Sequence, residues 1–250
     1  MRPLSGLAAL ALLAAPAAGR SPIIDPKPPA TAERLKSGVT EISGIGFAYL
    51  PASLAGPAPL LLLFHGAGMS ARPFVDGFKR EGNRCGCVLL AVQSEGPTWD
   101  LVTAATRGVR SGSASVDRLF GADADRVERG IAELMARAPI DRARIVPIGF
   151  SDGASFALTL ALFNPALFRS AIAIAPGFML QPSLIDPVQR IFVAHGRSDR
   201  ILPFAGTEAN VVLPLRNAGY RLIFRPFEGG HVIDRSSLGA GIAYALGRQG

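Results

Sequence analysis

One serine, one aspartate and one histidine could together do covalent chemistry in this chain. Ser151 sits in "GFSDG", flanked by Gly149 and Gly153. A strand that turns abruptly into a helix throws the apex side chain outward, and residues two before and two after crowd the turn, so glycine suits both places. G-x-S-x-G is the nucleophile-elbow pattern. By itself the pentapeptide is as easily a plain turn. A serine hydroxyl is a weak nucleophile until a base takes its proton, and the base needs a carboxylate to orient it. "EGGHVI" supplies His231 and "VAHGRSDRILP" supplies Asp199. Singly, His231 reads as a surface-loop histidine, and Asp199 as a turn residue or a partner for Arg197 or Arg200. The chain order Ser151, Asp199, His231 is that of an elbow-type triad.

Such a nucleophile also needs N–H donors for the negative oxygen of a tetrahedral intermediate. The helix expected after Ser151 presents the Asp152 N–H, aided by its positive end. "LFHGAGMS" offers a second donor, Ala67, between Gly66 and Gly68. His65 and His195 read as scaffold, the latter for the Asp199 loop.

The elements that would position these residues are legible as apolar runs: "GFAYLP", "PLLLLFHG", "CVLLAVQS", "RIVPIGFS", "SAIAIAPG", "RIFVAHG" and "YRLIFRPFEG". Most are continuously apolar, as in strands covered on both faces. Between them, "DADRVERGIAELMARA", "DGASFALTLALF", "TEANVVLPLRNAG" and "RSSLGAGIAYALG" have helical spacing. The alternation predicts one α/β domain: a mostly parallel central sheet flanked by helices on both faces. Functional groups in such sheets gather at the carboxyl ends of the strands, where Ser151 and all three histidines fall. Pro147 lies inside the strand feeding the elbow and predicts a local irregularity there.

"LLLFHGAG", "IDRARIVPIGFSDGAS", "VAHGRSDRILP" and "EGGH" together resemble the α/β-hydrolase superfamily. More narrowly, they are similar to its small esterases of the phospholipase/carboxylesterase and polyhydroxybutyrate-depolymerase-like kind, from about Pro59 to His231. The resemblance implies serine-dependent hydrolysis of carboxylic esters without a cofactor, with Ser151 as nucleophile, His231 as base and Asp199 as its orienter. "PTWDL" resembles a tryptophan-containing pocket loop of such esterases, which makes Trp99 a candidate pocket wall or else a buried tryptophan. The connection "GFMLQPSLIDPVQ" is too short for a substantial lid, so the site should be open, with Phe178 and Met179 as acyl-side walls. An open site argues against a lipase that needs interfacial activation. A peptidase or amidase on the same scaffold shares the triad, and a non-catalytic binding protein could use the fold alone.

Composition narrows the partners. The 250 residues carry a formal charge of +7, dispersed over arginines with only three lysines, and no basic run suggests nucleic-acid binding. Arg2 precedes the apolar "LAALALLAA" and then "PAAGR", the order of an export signal. Residues 1–18 are therefore expected to be a signal peptide, residues 19–40 a Pro-rich N-terminal segment and residues 41–250 the hydrolase domain, exported to the periplasm or outside. A buried N-terminal helix is the alternative. The apolar stretch is too short to span a bilayer. Cys85 and Cys87 could form at best a local disulfide, and two cysteines alone make a poor metal site.

Overall fold

A computed structural model describes residues 23–248 except 31, 55, 108–116 and 183–184. The expected signal segment, residues 1–18, lies outside the described residues.

Eight strands form one sheet: β1 (Gly38–Ile42), β2 (Gly46–Leu50), β3 (Ala58–Phe64), β4 (Val88–Val92), β5 (Ile140–Phe150), β6 (Ser170–Ile174), β7 (Arg190–Gly196) and β8 (Arg221–Phe227). Their order is β1-β2-β4-β3-β5-β6-β7-β8. Pairings β1/β2 and β2/β4 are antiparallel and the rest are parallel. The sheet is thus mostly parallel and flanked by helices, as the apolar runs predict, and is the α/β-hydrolase sheet that the resemblance implies.

Two apolar layers sandwich the sheet because successive strand side chains point to opposite faces. On β3, Leu60, Leu62 and Phe64 face one cluster, and Leu61 and Leu63 face the other. Helices α3 (Asp117–Arg137) and α4 (Asp152–Phe163) close the first layer, with Val127, Ile131 and Phe156 buried in it. Helices α1 (Ala71–Cys85) and α7 (Arg235–Ala245) close the second, through Phe74, Phe78 and Leu238. A short helix, α2 (Asp100–Thr106), follows the Trp99 loop. Between β7 and β8, α5 (Phe204–Thr207), a π-helical turn (Glu208–Val212) and α6 (Leu213–Asn217) run on without a break.

The structure bears on three of the expectations. The Pro-rich segment expected over residues 19–40 packs on the domain from Ile23 onward. Ile24 is buried, the N–H groups of Ile23 and Ile24 donate to Asn164 Oδ1, and β1 already begins at Gly38. The irregularity expected at Pro147 is absent there. Its register with β3 runs unbroken through Leu62, the shift lies between Ala58 and Leu60, and the β6 ladder starts only at Ile148. Third, of the two readings of Trp99 the structure holds the second: the tryptophan is fully buried. Its ring stacks on Phe156 with centroids 4.7 Å apart and meets Phe64 edge-on at 5.2 Å.

Cys85 and Cys87 form a disulfide joining the end of α1 to the start of β4.

Candidate active site

Ser151 is held at the turn between β5 and α4 with φ 57° and ψ −124°, a backbone conformation that L-residues rarely adopt. The turn is this sharp because glycines stand on either side of it. A Cβ on Gly149 would collide with the Gly153 carbonyl, and one on Gly153 with the carbonyls of Phe64 and His65. The Ser151 N–H donates to Ile174 O at 2.9 Å, tying the apex to β6.

His231, four residues past β8, brings Nε2 to 2.9 Å from Ser151 Oγ. Its Nδ1 lies 2.7 Å from Asp199 Oδ2, the length of a charge-assisted bond in which the imidazole N–H donates to a carboxylate. Asp199 Oδ1 accepts the N–H groups of Ile201 and Leu202, both at 2.9 Å. Burial pushes the Asp199 carboxyl upward, but the bonds from His231, Leu202 and Ile201 outweigh it and hold its pKa below the ordinary range. The structure therefore brings together the three residues singled out in the sequence, in a line of two hydrogen bonds.

The other two histidines are fully buried. His195 Nε2 donates to Leu202 O at 2.8 Å and lies 3.2 Å from Asp199 Oδ2, bracing the same loop. His65 Nδ1 donates to Gly66 O at 2.9 Å, and its Nε2 accepts from Ser94 N–H at 3.4 Å. Burial lowers the pKa of both rings, which favours their neutral forms.

The two expected oxyanion donors remain unengaged. Gly68 N–H donates to Pro97 O at 2.8 Å and Met69 N–H to Gly66 O at 3.2 Å, whereas Ala67 N–H and Asp152 N–H donate to no group among the described residues. Phe178 is half-buried and Met179 is only 9% exposed, so of the two proposed walls Phe178 retains more free surface.

Three contributors escaped the sequence reading. Thr98 donates its hydroxyl to Asp152 Oδ2 at 2.6 Å. Asp123, fully buried, accepts Glu95 N–H at 2.8 Å and Asp100 N–H at 2.7 Å, and so fixes both ends of the Trp99 loop. Within that loop the Trp99 indole donates to His65 O at 2.9 Å, which makes the tryptophan a support of the Ala67 turn. Ser155 Oγ accepts Gly177 N–H at 3.1 Å and holds the segment that carries Phe178. The adjacency of Thr98 to Trp99 in "PTWDL" was the available signal for the first. Among the described residues, no group of three His, Cys, Asp or Glu side chains is placed to hold a metal ion.

The chain is similar to known proteins in sequence and in fold. The phospholipase/carboxylesterase family model matches residues 53–242. NocK of Nocardia uniformis subsp. tsuyamanensis, named as an esterase, is 28% identical over 166 residues, which are 63% of this chain and 46% of that protein. The chain thus spans about half the length of this curated relative. Among solved structures, esterase PE8 has a TM-score of 0.60 at 21% identity, covering 86% of this chain and 100% of that one. The Bacillus cereus carboxylesterase has a TM-score of 0.57 at 17% identity, covering 80% and 92%. A phospholipase/carboxylesterase from Dyadobacter fermentans has a TM-score of 0.57 at 18% identity, covering 87% and 100%. At these identities the likeness to solved structures is one of fold.

Proposed function

Because the chain belongs to the phospholipase/carboxylesterase family, we propose that it hydrolyses carboxylic esters through an acyl-enzyme on Ser151. The observation that carries the reading is the continuous line from Ser151 Oγ through His231 to Asp199, at 2.9 and 2.7 Å, beside two unengaged N–H groups.

In this mechanism Ser151 Oγ attacks the ester carbonyl carbon and its proton passes to His231 Nε2. Asp199, ionised, accepts the Nδ1–H and stabilises the imidazolium without itself taking the proton. The carbonyl oxygen becomes an oxyanion facing the N–H groups of Asp152 and Ala67, each donor contributing on the order of a hundredfold in rate. Collapse breaks the bond to the alcohol oxygen, which leaves with the proton from His231. Water then attacks the acyl carbon, His231 takes the water's proton, and the acid departs as Ser151 recovers its own.

The reading includes export. The order of residues in the first 18 positions supports it, as does the Cys85–Cys87 disulfide, since such bridges persist in oxidising compartments. The site assignment is tested with a fluorophosphonate, which phosphonylates activated serines. Mass spectrometry should find a single adduct, on Ser151, that is lost in His231→Ala. An adduct elsewhere, or none on the folded chain, refutes the assignment.

A further inference from the structure

Met69 is 42% exposed, whereas Met179 is 9% exposed and Met135 half-buried. It closes the turn that carries Ala67, through its N–H to Gly66 O. Gly68 at φ +68° lets the chain reverse there. The turn folds the Met69 side chain back over Gly66. Its sulfur lies 3.3 Å from the point where a Cβ on Gly66 would stand, and Ser151 Cβ lies 3.3 Å from the same point. The thioether of an exposed methionine and Ser151 Cβ therefore flank the same glycine. Both cysteines are bridged, and no free cysteine occurs among the described residues, so Met69 is the most exposed residue described that carries a reduced sulfur.

We infer that Met69 is an oxidation site for peroxides, and that its sulfoxide suppresses turnover at Ser151. The inference rests on the ester-hydrolase reading above. The sulfur lone pair attacks one peroxide oxygen, the O–O bond breaks and an S–O bond forms. Sulfur gives up two electrons, and with hydrogen peroxide the departing hydroxide takes a proton to become water. The apolar thioether becomes a polar sulfoxide that can accept but not donate a hydrogen bond. Beside the Ala67 turn, its partially negative oxygen opposes the charge that develops on the substrate oxygen, in a site where such interactions are poorly screened. Its added bulk also crowds the approach over Gly66.

The test treats the full chain with hydrogen peroxide and follows p-nitrophenyl butyrate hydrolysis alongside the mass of the Met69 peptide. The rate should fall on the order of tenfold, less than the loss of an oxyanion donor would cost, in step with uptake of one oxygen at Met69. Met69→Leu, compared with its own untreated rate, should resist the same treatment. Methionine sulfoxide reductase should restore the wild-type rate. The inference is overturned if Met69 takes up oxygen with no loss of rate, if Met69 resists oxidation, or if Met69→Leu is inactivated equally fast. An untreated chain that hydrolyses no ester refutes the functional reading instead. The accessibility of the sulfur is then judged by the peptide mass alone, and absence of oxygen uptake overturns it.

Discussion

Thr98 Oγ1 donates to Asp152 Oδ2 at 2.6 Å, tethering the residue after the serine to the loop that leaves β4. The same loop grips the facing turn, since Pro97 O accepts Gly68 N–H and the Trp99 indole donates to His65 O. One short segment thus sets the spacing between the two expected oxyanion donors. Thr98→Val should lower kcat roughly three- to tenfold with little change in KM, because the lost bond matters most where charge develops. Thr98→Ser should recover most of the rate. Equal rises in KM for both variants would assign Thr98 to substrate binding instead.

The glycines of the elbow differ sharply from other glycines in their tolerance. Gly149→Ala places a methyl group against the Gly153 backbone, which cannot yield without moving α4. It should cost about 3 kcal/mol or more of stability in urea unfolding. Gly77→Ala, on α1 with no atom within 4 Å of the new methyl, should instead stabilise by about 0.5–1 kcal/mol. A neutral Gly149→Ala would show that the turn is looser than its contacts require.

Tyr220 predicts an alkaline weakness. It is only 6% exposed and its hydroxyl has no hydrogen-bond partner among the described residues. Burial, aided by the nearby Asp186 charge, pushes its pKa up to about 12 from 10.0. Above pH 10 the unfolded chain therefore loses the tyrosine proton while the folded chain keeps it. Stability must fall as pH rises from 10 through 12, by about 2–3 kcal/mol in total. Tyr220→Phe should flatten this part of the Tm–pH curve and leave Tm near pH 7 little changed. An unaltered alkaline slope would place the weakness elsewhere.

The legible and illegible parts of this molecule separate by the range of the interactions involved. Strands β3, β4, β6 and β7 are recognisable because burial on both faces demands unbroken hydrophobicity. Gly149 and Gly153 are recognisable because the tight turn around Ser151 leaves no room for a side chain at either place. Strand β1, "GVTEI", is mostly half-buried at the sheet edge and lacks that signature. Helix α1 is obscured by Pro73, Gly77 and Gly82 within it. Trp99 carries two readings in the sequence, pocket wall or buried ring, since nothing local decides whether an indole turns outward or toward Phe156. The Thr98–Asp152 bond spans 54 residues and exists only once β4 and β5 are brought into one sheet.

The most direct test is hydrolysis of p-nitrophenyl esters, acetate through palmitate, by the purified chain and by Ser151→Ala side by side. Ser151→Ala should keep the circular dichroism spectrum and lose turnover of short-chain esters by roughly a thousandfold or more. A folded Ser151→Ala variant hydrolysing esters at the wild-type rate, or a folded wild-type chain turning over none of them, would contradict the account.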